Sequence, residues 1–357
     1  MNMIENRIRQ ALKRMREEGC DGILVLNVPS VRYLSGFTGD SSALLITERK
    51  RILLTDSRYT EQAEKTAISF EVIDFKYQNT GLYSAIVTKA KAIGITNLIF
   101  EPHVLSYNSF LELKKECGRK IKLTGLTDLA ERLMSIKSPE EVALIRKAQD
   151  IADRAFKYVT KTIKPGMTEQ AIGVELAYHM QKNGAQGYFT IVAADANASL
   201  PHYPSGDTKI KKGSAIMIDW GATYNFYGSD CTRMIYLSEP SAKWQEINEI
   251  VRLAQQAALA KIKPGVPAKE VDAAARDYIT ERGYGDNFGH GLGHGIGMGG
   301  GPFLRRNSTD ILKPGMVCTV EPGIYLPGFG GVRIEDMVLV TASGYERLTK
   351  LPIVKFD

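Results

Sequence analysis

Cysteine is scarce in this chain: four residues in 357, Cys20, Cys117, Cys231 and Cys318, stand far apart and in no C-x-x-C or zinc-finger spacing. That excludes a thiolate zinc module and a dithiol redox motif, and the four are expected to be reduced and buried. Long apolar runs are missing too. No stretch approaches the roughly 20 apolar residues that span a bilayer. Residues 1–16 carry charges through their apolar positions and lack the uninterrupted core of a signal peptide. No membrane association is expected, and the location read from these absences is cytoplasmic. The formal net charge is +6, but Lys and Arg are scattered and form no aromatic-interleaved stripe, so no nucleic-acid partner is expected. Low-complexity segments are absent. What remains is a chain with 44% hydrophobic and 24% charged residues, an ordinary globular composition at a length that allows two or three domains.

The informative stretch is IMIDWGATYNFYGSDCTR, residues 216–233. An apolar run carries Asp219 at its end, and a second run, Met234-Ile-Tyr-Leu237, follows Asp230, so the spacing predicts two strands. With a turn centred on Tyr224 and Asn225, the two carboxylates are direct cross-strand partners, Cβ atoms roughly 5 Å apart, where like charges destabilise a hairpin. Something positive has to compensate them.

A second copy lies about a hundred residues on. Leu312-Lys-Pro-Gly-Met-Val-Cys-Thr-Val-Glu-Pro-Gly323 repeats Ile210-Lys-Lys-Gly-Ser-Ala-Ile-Met-Ile-Asp-Trp-Gly221, so Glu321 falls on Asp219. A turn within residues 326–331 then brings Glu335 opposite Glu321. Upstream, Ile163-Lys-Pro-Gly166 recurs as Ile262-Lys-Pro-Gly265, each followed by a helical pattern. Two halves of one domain each offer a carboxylate pair. Between them runs Gly289-His-Gly-Leu-Gly-His-Gly-Ile-Gly297, which holds two of the five histidines, His290 and His294, and His202 in Pro201-His-Tyr-Pro204 is a third candidate for the same site. Four carboxylates and an imidazole suit one or two divalent cations, hard oxygen donors favouring manganese, cobalt, iron or zinc over copper.

The pattern resembles the proline-specific metallopeptidases of the pita-bread fold, aminopeptidase P and prolidase, which are relatives of methionine aminopeptidase and creatinase. Asp219-Trp-Gly-Ala222, Ser229-Asp-Cys-Thr-Arg233, Gly291-Leu-Gly-His-Gly-Ile-Gly297, Glu321-Pro-Gly-Ile-Tyr325 and Gly331-Val-Arg-Ile-Glu-Asp336 carry the resemblance, which covers nearly the whole chain. It implies an α/β N-terminal domain followed by an α+β pita-bread catalytic domain with an internal pseudo-two-fold repeat, and a homodimer. It also implies two divalent ions, manganese first and cobalt, zinc or iron after it, on Asp219, Asp230, His294, Glu321 and Glu335, with Asp230 and Glu335 bridging. The implied reaction is hydrolysis of the Xaa-Pro bond at the N-terminus of peptides, as in aminopeptidase P. The alternatives are Xaa-Pro dipeptide cleavage, as in prolidase, or another metal-dependent hydrolase or lyase on the same fold.

Glu321 is the acid expected to shuttle a proton, and His202 to stabilise the oxyanion or assist that transfer. His290 is expected to line the proline pocket rather than ligate. Arg333, two residues before Glu335, is a substrate-binding candidate better placed to orient a carboxylate than to touch a cation. One departure stands out. Family members usually follow Gly-His-Gly-Ile-Gly with a further histidine and a glutamate ahead of a Pro, whereas this chain reads Met298-Gly-Gly-Gly-Pro302. Arg305, Arg306 or His202 could compensate.

In chain order, residues 4–18 predict an amphipathic helix ending at Gly19. Strands are predicted at 22–27, 43–47, 51–55, 70–75 and 97–101, and helices near 60–67, 82–93 and 107–117. Residues 27–36 and 56–59 read as loops. The N-terminal domain is expected over 1–125, a linker over 126–137 and the catalytic domain over 138–357. Ser138-Pro-Glu-Glu141 opens a helix running to about residue 162, and Thr168 caps another. His103 and His179 are expected to be structural or solvated.

Overall fold

The computed structural model describes residues 3–75 and 81–356. The chain divides into two compact units, Met1–Met134 and Ser135–Asp357.

In the first unit, α1 (Met3–Glu17) buries Ile8, Ala11, Leu12 and Met15 along one face, the stripe its apolar spacing requires. Then follow β1 (Gly22–Val25), α2 (Val28–Ser35), β2 (Ser42–Ile46), β3 (Arg51–Thr55), α3 (Thr60–Thr66), β4 (Glu71–Asp74), α4 (Leu82–Ala92), β5 (Asn97–Phe100), α5 (Tyr107–Cys117), β6 (Lys122–Gly125) and α6 (Leu129–Ser135). One six-stranded sheet, ordered β4-β3-β2-β1-β5-β6, is antiparallel from β1 to β3 and parallel elsewhere. Two sequence expectations are corrected. The stretch 27–36 is not a loop: Val31, Tyr33 and Leu34 of α2 are buried, and Gly36 closes the helix in the left-handed region at φ 78°. The stretch 126–137 holds α6. His103 pairs at 3.1 Å with Glu131 on that helix, and Asp56 shapes its turn by accepting from Arg58 and Ser41.

The second unit opens with α7 (Pro139–Val159), where Ser138 and Glu141 form a reciprocal capping box. There follow α8 (Glu169–Lys182), β7 (Gly187–Ala194), β8 (Ala215–Tyr224), β9 (Tyr227–Gly228), β10 (Cys231–Tyr236), α9 (Ala242–Lys261), α10 (Ala268–Thr280), β11 (Val317–Val320), β12 (Gly323–Leu326), β13 (Gly330–Arg333), β14 (Asp336–Val340) and β15 (Tyr345–Arg347). Sheets β10-β8-β7, β11-β14-β15 and β12-β13 form its centre. The sequence repeat is a structural one. Gly166 N–H donates to the Ile210 carbonyl at 2.8 Å and Gly265 N–H to the Leu312 carbonyl at 2.9 Å, equivalent bonds at equivalent places.

The two hairpins differ in how far sequence placed them. Glu321 and Glu335 sit between the β12–β13 and β11–β14 ladders, and the shared register (Gly323 with Arg333, Val320 with Asp336) sets them opposite one another. In the first half the turn lies one residue later than expected. It is centred on Asn225 and Phe226, both at positive φ, 46° and 69°, the geometry of a two-residue hairpin turn. Asp219 therefore faces Thr232, not Asp230.

Strand β8 is buried on both sides. Ile216, Ile218 and Trp220 pack toward α7 and α8, while Ala215 and Met217 join the cluster built on α9 and α10. All four cysteines are free, and Cys20 is only half-buried, contrary to expectation. Trp220 donates its indole N–H to the Ala152 carbonyl at 3.0 Å and stacks on Phe156, centroids 4.1 Å apart. Phe156→Ala should therefore cost about 3–5 kcal/mol of stability, read from urea unfolding of the metal-stripped protein; a loss under about 1 kcal/mol would contradict this packing.

Candidate metal centre

Asp219 takes the odd-numbered face of β8 in line with Ala215 and Met217, so it points toward the second half. The Ser229 carbonyl and the Phe189 ring occupy the place where a Cβ on Gly221 would stand. Only glycine lets the chain between β9 and β10 press this closely on β8, and that approach delivers Asp230 beside Asp219. His294 is held by paired bonds with Thr319: its N–H donates to the Thr319 hydroxyl at 3.0 Å, and its carbonyl accepts from the Thr319 N–H at 2.9 Å. Its Nδ1 faces the Gly295 carbonyl at 3.1 Å, which puts the ring hydrogen there and leaves Nε2 bare. That nitrogen lies 3.6 Å from Asp230 and 3.5 Å from Glu321. Asp230, His294 and Glu335 each offer one donor atom within 4.8 Å of the others.

All eight candidate residues, Asp219, Asp230, His294, Glu321, Glu335, His202, His290 and Arg333, line one cavity of about 450 Å³, together with Phe189, Ile191, Phe303 and Arg305. Arg306 lines two neighbouring clefts instead. His103 and His179 are elsewhere, the latter stacked on Tyr158. Arg333 is buried and committed to protein partners. It donates to Asp219 at 2.6 Å, Tyr325 at 3.0 Å, the Pro201 carbonyl at 3.2 Å and the Thr232 hydroxyl at 3.0 Å. Those bonds suit it to orienting Asp219 rather than gripping substrate.

Three residues that bear on the site were not singled out from sequence. Thr232 donates to Glu335 at 2.8 Å, Thr319 donates to Glu321 at 3.0 Å, and Tyr325 joins Arg333 to His290. Thr232 and Tyr325 lie inside motifs whose acids drew the attention. The His290 Nδ1 faces the Gly291 carbonyl at 2.8 Å, so its Nε2 accepts from the Tyr325 hydroxyl at 2.9 Å. Burial lowers the His290 pKa to about 4, and the ring is neutral at ordinary pH.

Burial and mutual repulsion raise Asp230 and Glu335 well above the usual carboxylate range, and burial raises Asp219 against the pull of Arg333. Glu321 is pushed to about 7 by burial, against the pull of Arg333, with repulsion from Asp219 adding to the rise. Of the two arginines that line the cavity, Arg333 is ion-paired to Asp219, and one such pair cannot balance four acids. Asp219 Oδ1 and Glu335 Oε1 are moreover buried without any hydrogen-bond partner, a costly state for oxygen unless a cation takes it up. The donor set, hard oxygens and one imidazole, fits a divalent metal.

A duplicated α+β unit that converges acids and a histidine on one cavity defines a metal-dependent hydrolase class. The family profile of metallopeptidase family M24 matches residues 143–342, and that of the creatinase/prolidase N-terminal domain matches residues 7–136. The chain belongs to metallopeptidase family M24. It is 37% identical over 355 residues to the Xaa-Pro dipeptidase of Pyrococcus furiosus, covering 97% of this chain and 98% of that one. Among solved structures, an Xaa-Pro dipeptidase from Bacillus anthracis is similar at TM-score 0.93 and 39% identity, covering 99% of each chain. An X-Pro aminopeptidase from Thermotoga maritima is similar at TM-score 0.90 and 38% identity, covering 98% of this chain and 99% of that one.

Raised carboxyl pKa values carry a stability consequence. The folded, metal-free protein keeps protons that the unfolded chain releases, so this contribution is complete below the ordinary value and lost as pH rises through the folded one, for Glu321 from 4.5 to about 7. Thermal unfolding of stripped protein should show stability falling across that window, and added manganese should abolish the fall by displacing the protons. A flat or rising profile for the stripped protein would contradict it.

Proposed function

We propose that this metallopeptidase cleaves the Xaa-Pro bond at the N-terminus of peptides. The observation that carries the reading is the convergence on one cavity of His294 and four acids, Asp219 and Glu335 buried and Asp230 and Glu321 partly so, with two buried oxygens left unpartnered. Asp219, Asp230, His294, Glu321 and Glu335 would hold two divalent cations, manganese first, with Asp230 and Glu335 shared between them. Bound cations supply polarisation of the scissile carbonyl and acidification of water toward a pKa of about 7.

The rest falls to the chain's own side chains. Glu321, poised near 7, takes a proton from the attacking water and passes it to the leaving nitrogen. That delivery matters for proline, whose nitrogen changes from tertiary amide to basic amine on cleavage. His202, exposed in the cavity on a loop with Pro201 and Pro204, donates to the oxyanion. His290, neutral and with both nitrogens engaged, offers its ring as an apolar wall for the proline. Arg333 orients Asp219. Of the three side chains that could compensate for the missing family histidine, His202 and Arg305 line the cavity, whereas Arg306 lines neighbouring clefts. Relatives named for the dipeptidase and for the aminopeptidase are about equally similar, and aminopeptidase action on longer peptides is the reading we carry forward. A homodimer, as the resemblance implies, in the cytoplasm, as the sequence composition suggests, is the setting we assign to it.

Asp230→Ala and Glu335→Ala should each lower kcat/KM by more than about a thousandfold, on the order of 4 kcal/mol, and lose cation binding together with activity. Hydrolysis of Xaa-Pro dipeptide, Xaa-Pro-Xaa tripeptide and a longer Xaa-Pro peptide by stripped protein, with and without manganese, checks the substrate. Cleavage of the longer peptides marks an aminopeptidase and cleavage of the dipeptide alone a dipeptidase. Normal turnover by either alanine variant would refute the bridging assignment.

A further inference from the structure

The segment that replaces the family's second histidine is not a free loop. Gly300 and Gly301 lie at φ 63° and 145°, and a Cβ on Gly295 would stand 2.5 Å from the Gly301 Cα, so this stretch folds back directly onto the residue after His294. A charged side chain holds it there: Lys137 donates to the Gly300 carbonyl at 2.9 Å. Lys137 is 5% exposed, and the Gly300 carbonyl is the nearer of its two acceptors, the other being the Ser135 carbonyl at 3.5 Å. A buried ammonium is costly unless it holds something.

Four residues later on the same helix start, Glu141 accepts from the Tyr227 hydroxyl at 3.0 Å. Tyr227 and Gly228 immediately precede Ser229 and Asp230, and Gly228 N–H donates to the Gly297 carbonyl at 3.1 Å, closing the figure. Its interior is filled by Val142, Ile145, Tyr227, Ile296 and Val317. The start of α7 thus grips, through two side chains, the strand that delivers Asp230 and the loop that leaves His294, and those two segments are bonded to each other.

We infer that Lys137 and Glu141 are positioning residues that set the spacing between Asp230 and His294, so that the affinity of the site for its divalent cation depends on a clamp built into the start of α7. The inference rests on the reading that Asp230, His294 and Glu335 hold a cation. Lys137→Met keeps the length and apolar stem while deleting the bond to Gly300; Tyr227→Phe deletes only the hydroxyl that meets Glu141 and keeps the packed ring.

The test is calorimetric titration of manganese into stripped wild type, K137M, Y227F and a control, Ile172→Ala, which opens the core under α8 away from the clamp. Thermal unfolding of the stripped proteins runs alongside. The expected result is weaker manganese binding by about tenfold or more in K137M and a smaller loss in Y227F, the range seen when a partner behind a metal ligand is removed. I172A should bind manganese as wild type does while melting earlier, and kcat of K137M should recover at saturating manganese. Wild-type affinity in both K137M and Y227F overturns the clamp and leaves the metal site standing. An affinity loss in I172A equal to that in K137M overturns it as well, since the effect would then be general destabilisation. If K137M does not fold, wild-type affinity in Y227F alone overturns it. Absence of manganese binding by wild type overturns the cation reading together with the clamp.

Discussion

Four carboxylates share one cavity, only Asp219 among them is ion-paired to an arginine, Arg333, and the second unit is arranged around that repulsion. The acids do not choose their positions; the backbone forces them together. Asp219 is fixed by a strand buried on both faces, Asp230 by a contact that only Gly221 permits, and Glu321 and Glu335 by the register of two ladders that flank them. The halves are tied by a buried ion pair between Arg233 and Asp336 at 2.6 Å, and Arg233 also donates to the Glu335 carbonyl. A pair of this kind is weak evidence for net stability, but losing one partner is strongly destabilising. Its use here is geometric, since it locks the strand after Asp230 to the residue after Glu335.

Around the acids, hydroxyls and a tyrosine do the aiming. Thr232 and Thr319 each hold one carboxylate oxygen, of Glu335 and of Glu321, and the other oxygen of Glu335 is buried without a partner. The two histidines of the glycine-rich segment show how a partner decides a role. In both, Nδ1 donates to the carbonyl of the next residue, so both present a bare Nε2. The Tyr325 hydroxyl meets that nitrogen in His290, whereas in His294 it faces Asp230 and Glu321. One ring is thereby closed to a cation and the other open to it.

Much of this was legible in the sequence because it is written twice. The repeated Lys-Pro-Gly turns and the matched strand ends located the acids and the second hairpin register without reference to any fold. The first hairpin was misplaced because its turn uses Phe226 at positive φ, a residue that does not signal a turn. Helix α2 reads as a loop in sequence because Pro29 and the serines outweigh the apolar spacing of Val31 and Leu34, which its buried face satisfies. Strand β7, which supplies Phe189 and Ile191 to the cavity, has no clean alternation and gives no strand signal in sequence. What sequence could not carry was direction: that Arg333 spends itself on Asp219, and that the glycine run after His294 is held from α7, are properties of contacts between distant segments.

The central claim is that divalent cations take up the unpartnered oxygens where the acids converge. Anomalous diffraction from crystals soaked in manganese tests it most directly. The account predicts two peaks in the cavity, one against Asp219 and one against His294 and Glu321, with Asp230 and Glu335 between them. A soaked crystal with no anomalous density within bonding reach of these five side chains would contradict it.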